Sequence, residues 1–595
     1  MAGPGAGAHL KSFRLFGLLA RSSAGGLASL GKTGQSGGSR GRLARGLAFG
    51  AVCLVMAAFL AAPAALYWWK FPDLTNLLSL VVSVSFFLGL IILVRPLVLI
   101  LALAIPVLVM NLIDIVHLLA FGGLVSLGAL ESVFFVNPAE AVEFVASHAL
   151  PVGGGVLLVV VFLGLAIART RLDQYRFREK LLVAIVAVTI PSTVLAASLA
   201  LAGSKRDVFL PTRLVEHLAA SLGVNPLTHT LSGLATVLGE RRELSELAAI
   251  RNRHVFGARL APGRPQGETH IIVIGESSRS ANWSLYGYPR PTNPRLSGLD
   301  GLFVFRDATS PASTTSRSLP LSFSFATPAD PDRFFQTRSL VSAFREAGYR
   351  TWWISNQGTH RNAVGNQLAL IMGEAETVVT TNYGFWNTVL DGEMLPELDR
   401  ALRDAAPRKL IILHTLGSHT NYPQRYPADW TLGEPDVPVR EAHAYKGIGD
   451  AQAEVIDQYD RTISYTDWML SEVIRRHAET GMHGSVLYFS DHGQRLYDDK
   501  QMRKGHGFRG FRKPDGQIPL LAWLPAVTRA ASPQRVRAIG ANALRPVTTG
   551  DLATSMLDLA GIDVPGLDRE RSFFSPAFEP HDRPFLTTDG KIEHY

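Results

Sequence analysis

The sequence predicts an N-terminal bundle of five transmembrane helices followed by an α/β domain with a mostly parallel central sheet. Three observations predict it. Between residues 46 and 203 the chain carries five apolar runs, each close to the roughly 20 residues that a membrane-spanning helix needs. From residue 269 the apolar runs shorten to strand length and alternate with helical patterns, which is how a parallel sheet is connected. Several of those short runs end on an acid or a histidine, where open α/β sheets gather their ligands.

Composition agrees with a lipid-embedded part. The chain has 595 residues, 47% of them hydrophobic, and its mean hydropathy is +0.16, more apolar than an ordinary soluble protein. The formal net charge is +8. Residues 1–45 hold Lys11, Arg14, Arg21, Lys32, Arg40, Arg42 and Arg45 and no acid, so the remainder is close to neutral and makes no case for binding nucleic acid. The single cysteine, Cys53, lies inside an apolar run. It excludes an intramolecular disulfide and a cysteine-based zinc site.

Residues 1–45, rich in Gly, Ser and Ala, read as a disordered basic tail. The first span, 46–69, is longer than a signal-peptide core and ends on Trp68 and Trp69, an aromatic pair of the kind found at membrane interfaces. Spans at 75–95, 96–122, 149–168 and 181–203 follow, the second and third divided by Arg95-Pro96. The loop 169–180 carries Arg169, Arg171, Arg176, Arg178 and Lys180, whereas 123–148 has no Lys or Arg. The positive-inside rule then places the tail and the 169–180 loop in the cytoplasm, and an odd number of spans delivers everything after 204 outside. In a Gram-negative cell that compartment is the periplasm, and the protein would be multi-pass in the inner membrane. Residues 204–268 form a connector with amphipathic pieces such as "RLVEHLAASLG" and a Pro/Gly-rich end, and 269–595 form the globular domain.

Within that domain "HIIVIGES" ends on Glu276, "RTWWISNQ" on Asn356, and "SVLYFSDHG" on Asp491 and His492, while "KLIILHTLGSH" leads through His414 to His419. Glu, Asp and His meeting at one sheet edge make an oxygen and nitrogen donor set suited to zinc, with manganese as the alternative. Read alone, each of these is a turn residue. Their shared position at strand ends is what favours a site. The segment "DATSPASTTSRSLPLSFSF" (307–325) surrounds Thr315 with eight other hydroxyl residues. It is either a low-complexity loop or a hydroxyl nucleophile at a helix N-terminus, where free N–H groups hold phosphate and a metal lowers the hydroxyl pKa.

These motifs resemble the membrane-bound phosphoethanolamine transferases, relatives of the alkaline phosphatase and sulfatase superfamily, over 46–595 and most densely over 269–525. "IGESSRSANWSLYGYPRPTNP" (274–294) is similar to the family's Gly-Glu-[Thr/Ser]-x-Arg…Gly-Tyr-x-Arg-x-Thr-x-Pro motif. The resemblance implies an alkaline phosphatase-like fold with Glu276, Asp491 and His492 as zinc ligands, and Thr315 as the nucleophile that also meets the metal. "PASTTSRSLPLS" departs from the family pattern at Pro311 and Leu321, where the family has cysteines, and at Ser313 and Ser316, so Thr314 and Ser313 stay open as alternatives to Thr315. "LHTLGSHTNYPQRYP" implies His419, and "KGHG" implies His506, as active-site histidines acting in catalysis and substrate binding. "WISNQG" implies Asn356 as a substrate contact; the family's nearby lysine is missing, and His360 stands as its substitute. Gln494 replaces a family glutamate, which leaves a second zinc open.

The activity implied is transfer of phosphoethanolamine from phosphatidylethanolamine to lipid A, the lipopolysaccharide core or a periplasmic glucan, through a phospho-threonine, with release of diacylglycerol. A phosphoglycerol or phosphoethanolamine transferase acting on periplasmic glucans is the near alternative, and a non-catalytic membrane scaffold is the alternative of another class. A sulfatase is disfavoured because "STTSR" lacks the Pro of the sequence that is converted to formylglycine.

Overall fold

The computed structural model describes residues 39–72, 74–121, 149–173, 175–186, 249–357, 367–382, 389–433, 437–508, 510–588 and 590–595. The chain divides into two compact units. One contains the described residues of Met1–Ala62, Leu77–Leu108 and Leu157–Val215, and the other those of Pro63–Asn76, Val109–Val156 and Glu216–Tyr595.

Among the described residues five apolar helices precede residue 173: α1 (Ser39–Leu60), α2 (Ala62–Lys70), α3 (Leu74–Leu93), α4 (Leu97–Phe121) and α5 (Ala149–Leu172). They differ from the expected spans in three respects. Helix α1 starts at Ser39 and takes in Arg40, Arg42 and Arg45, which composition assigned to the tail. The expected 46–69 span is divided at Ala61, and α2 begins there with Pro63 in its first turn, a position where proline's missing N–H costs no helical bond. Among the described residues only Gly41–Leu60 and Leu97–Val116 are long and apolar enough to cross a membrane, with a shorter apolar stretch at Ser79–Leu93. Of the five spans expected from sequence, two have helices of that length and hydropathy among the described residues. Most of the 181–203 run, with 1–38 and 204–248, lies outside the described residues. Within the first unit, buried Arg169 donates to the carbonyl oxygens of Ile91 (2.7 Å) and Ile92 (3.1 Å) at the end of α3 and pairs with Asp173 at 3.3 Å. Those carbonyls have no intrahelical partner, so a guanidinium there is both a cap and a tie between helices.

In the second unit a seven-stranded sheet forms from β1 (Glu268–Gly275), β2 (Leu302–Val304), β3 (Arg350–Ser355), β4 (Thr377–Thr380), β5 (Arg408–His414), β6 (His483–Ser490) and β7 (Leu520–Trp523). Their order is β2-β7-β6-β1-β5-β3-β4. The pairs from β6 to β4 are parallel, and β7 alone runs against its neighbours, so the mostly parallel sheet expected from sequence is present with one reversed strand.

Alternation along the central strands builds a core on each face. Ile272, Ile274, Leu410, Ile412, Leu487 and Phe489 pack on one side, under α6 (Thr315–Phe323) with its buried Leu319, Leu321 and Phe323. Ile271, Val273, Ile411, Leu413, Val486 and Tyr488 pack on the other, under α7 (Asp450–Glu479) through Ile456, Tyr459 and Ile463. Strands buried on both faces read as continuous apolar runs, as these do. Where the connector enters, Arg251 is buried, stacks 4.0 Å over the Phe334 ring and pairs with Glu374 at 2.6 Å.

Helix α7 also carries a pH dependence. His477 is buried with Nε2 2.8 Å from the Thr269 carbonyl oxygen, and burial pushes its imidazole down from 6.5 to about 4. The unfolded chain takes up a proton near 6.5 that the folded domain refuses until about 4. Stability from this group is therefore full above 6.5 and lost as pH falls through that window, by about 3 kcal/mol. Urea unfolding between pH 7 and 4 should show the loss, and His477→Gln, which keeps a donor but does not titrate, should flatten the profile.

Candidate active site

Sheet register assembles the site. Gly275 of β1 lies opposite Ser490 of β6, Ile274 opposite His414 of β5, and His414 opposite Ser355 of β3. The residues that follow these strands, Glu276, Asp491, Thr415 and Asn356, therefore emerge side by side. The turn after β1 is tight: Ser277 has φ 53°, its backbone N–H donates to Asp491 Oδ1 at 3.1 Å, and its hydroxyl donates to Glu276 Oε1 at 2.6 Å. A left-handed serine is uncommon, and two hydrogen bonds to the acids hold it there. Gly417 has φ 48°, and a Cβ on it would stand 2.8 Å from the Glu276 nitrogen. Gly417→Ala is expected to cost about 2 kcal/mol and to displace Glu276, read as a lower melting temperature together with weaker zinc uptake.

Thr315 is the first residue of α6, with Thr314 in extended backbone before it. Its Oγ1 lies 2.6 Å from Asp491 Oδ2, 3.1 Å from Glu276 Oε2 and 3.4 Å from His492 Nε2. Of the three hydroxyls that the sequence leaves open, Thr315 is the one that meets the acids. The Thr314 hydroxyl lies 3.4 Å from Ser316 Oγ, and Ser313 presents its backbone carbonyl to His506 Nδ1 at 3.1 Å. His492 turns Nδ1 to the Gly493 carbonyl at 2.8 Å, which leaves Nε2 facing Glu276 Oε1 (3.4 Å) and Asp491 Oδ2 (3.3 Å). A backbone acceptor on the outer ring nitrogen is the usual way an imidazole is oriented toward a metal. The His506 ring stands 4.0 Å from that of His492, and ligand atoms of Glu276, His492 and His506 all lie within 4.8 Å of one another.

Electrostatics follow from packing so many groups out of water. Burial raises Glu276, but the fields of His492, His419 and His506 outweigh it and hold this carboxyl well below the usual range. Burial and then the Glu276 charge push Asp491 up to about 7. His492 is raised in spite of burial by Asp491 and Glu276, while burial and the neighbouring His492 drive His506 down to about 3. Two acids facing one imidazole nitrogen and a hydroxyl are mutually stabilised by a cation between them. With His419 half-buried and its Nδ1 without a hydrogen-bond partner, the donor set fits zinc.

Asn356 is fully buried, and its amide is engaged by the fold: Nδ2 donates to Val389 O (2.8 Å) and Asp391 Oδ1 (2.9 Å), and Oδ1 accepts from Thr381 (2.9 Å). Its neighbour Gln357, which sequence reasoning passed over, reaches Glu276 Oε2 at 3.0 Å instead. The signal available was position alone, one residue beyond the strand end. Gln494 is buried between the Tyr422 hydroxyl (3.4 Å) and Ser418 O (3.5 Å). His360 lies outside the described residues.

Residues 268–562 match the protein-family model described as Sulfatase. Among individual proteins, the resemblance to phosphoethanolamine transferases holds. The chain is 29% identical over 360 residues to phosphoethanolamine transferase EptC of Escherichia coli O18:K1:H7 (strain RS218 / NMEC), and 29% identical over 360 residues to phosphoethanolamine transferase CptA of Salmonella typhimurium LT2. Each match spans 59% of this chain and 59% of the relative. The crystal structure of the C-terminal periplasmic domain of EcEptC from Escherichia coli in complex with Zn superposes with a TM-score of 0.52 at 27% identity, over 57% of this chain and 94% of that one. The integral membrane protein lipooligosaccharide phosphoethanolamine transferase A (EptA) from Neisseria meningitidis shares the fold at a TM-score of 0.66 and 20% identity, over 88% of this chain and 98% of that one.

Proposed function

We propose that the chain is a zinc-dependent phosphoethanolamine transferase of the bacterial inner membrane. In this reading five spans (46–203) follow a cytoplasmic tail (1–45), and a connector (204–268) leads to a periplasmic catalytic domain (269–595). The observation that carries it is the Thr315 hydroxyl at 2.6 Å from Asp491 and 3.1 Å from Glu276, at the start of a helix. A zinc-bound relative and an integral-membrane relative with the same fold support the metal and the topology.

Glu276, Asp491, His492 and Thr315 Oγ1 would hold a zinc ion, which when bound would supply Lewis acidity favouring ionisation of the threonine hydroxyl. The chain does the rest. Asp491 and Glu276 fix the direction of Oγ1, and the positive end of the α6 dipole, where Thr315 sits, favours the negative charge of a phosphate brought against it. Attack of Oγ1 on the phosphorus of phosphatidylethanolamine forms the Thr315 O–P bond and breaks the bond to diacylglycerol, which leaves with the proton. An acceptor hydroxyl or phosphate on lipid A, the lipopolysaccharide core or a periplasmic glucan then displaces Thr315. His419 and His506 stand on the loops around the nucleophile to hold the proton or the developing charge.

The full chain in detergent, given phosphatidylethanolamine with a fluorescent acyl chain, tests the reading. Release of fluorescent diacylglycerol together with a phosphoethanolamine mass increment on the peptide containing Thr315 is the expected result. Absence of both, from protein whose zinc content has been checked, overturns it, and a phosphoglycerol increment from phosphatidylglycerol would move the donor to that lipid.

A further inference from the structure

We propose that Gln357 is a positioning residue for Glu276: its amide sets the carboxylate in the orientation that binds zinc. This rests on the metal reading above and adds a residue to it. Gln357 follows β3, Thr415 follows β5 and Glu276 follows β1, three neighbouring parallel strands. The Gln357 Nε2 donates to the Thr415 carbonyl at 2.9 Å and to Glu276 Oε2 at 3.0 Å. Both partners are acceptors and the amide carries two N–H donors on one atom, so only the nitrogen can face them and the rotamer is fixed. The backbone is fixed as well, because Gln357 N–H donates to Ser355 Oγ at 3.2 Å, and that hydroxyl donates back to the Gln357 carbonyl at 2.9 Å.

The contribution is orientation without charge. Glu276 Oε1 is held by the Ser277 hydroxyl at 2.6 Å and Oε2 by Gln357, so the carboxylate cannot rotate about its terminal bond without breaking one of the two. Oε2 is also the atom 3.1 Å from the Thr315 hydroxyl, which places the clamp on the oxygen nearest the nucleophile. A lysine or arginine in this place would compete with the cation for Glu276, and a glutamate would repel it; a neutral primary amide does neither. Groups that orient a metal-binding side chain in this manner change metal affinity about ten- to a hundredfold when removed.

The test is zinc affinity of the full chain in detergent, by competition with a chromophoric chelator, for the wild type, Gln357→Met and Gln357→Ala. Methionine keeps the length and removes both donors. The expected result is a tenfold or greater loss of zinc affinity in both variants, with the zinc-free melting temperature close to that of the wild type. Zinc affinity within twofold of the wild type overturns the assignment. So does a loss of affinity matched by an equal loss of zinc-free stability in both variants, which would make Gln357 a packing residue. A wild type that takes up no zinc overturns the metal reading itself, and this assignment with it.

Discussion

Thr315→Ala is expected to abolish the covalent adduct and to reduce headgroup transfer by about 10³-fold or more, the scale on which enzymes lose activity with their nucleophile. The methyl that replaces the hydroxyethyl side chain leaves Asp491 and Glu276 without the group they jointly hold. Thr315→Ser keeps an oxygen at the first position of α6 and should keep the adduct at reduced rate. Thr314→Ala and Ser313→Ala should leave the adduct on the same peptide, because neither hydroxyl reaches the acids. Intact mass after incubation with phosphatidylethanolamine reads all four. An adduct that persists in Thr315→Ala and disappears in Thr314→Ala would move the nucleophile by one residue.

Asp491→Asn is the second large effect, and its sign differs between two measurements. The substitution is isosteric at a fully buried position and removes one of the two acids from the cluster. Zinc affinity should fall about a hundredfold and transfer by about 10³-fold. The zinc-free protein should melt no lower than the wild type, and higher if anything, because a buried carboxyl beside Glu276 is costly without a cation. Metal analysis and a pair of melting curves, with zinc and with chelator, separate the two. A variant that binds zinc normally would remove Asp491 from the ligand set, and one that unfolds without zinc would give the residue a structural role.

The membrane region shows where sequence periodicity stops. Its apolar runs located α3, α4 and α5 to within a few residues, since length and hydropathy are local quantities. They missed the break at Ala61, after which a second helix begins at Ala62 with Pro63 in its first turn, within one continuous apolar run.

The catalytic cluster divides in the same manner. Sequence alone determined that β1, β5 and β6 are buried strands and that Glu276, His414 and the Asp491-His492 pair stand at their ends, because a parallel register brings equivalent strand ends to one edge whatever the loops do. It selected Asn356 and passed over Gln357, which follows the same strand. The turn beyond Ser355 sends the first amide into Val389, Asp391 and Thr381 and the second to Glu276. The sequence could not choose among Ser313, Thr314 and Thr315. That depended on where α6 begins, since one residue of helix phase rotates a side chain by roughly 100° and decides which hydroxyl faces the acids. His506 lies 230 residues from Glu276 in the chain, and the close approach of its ring to His492 is fixed by packing between elements remote in sequence, which no local pattern encodes.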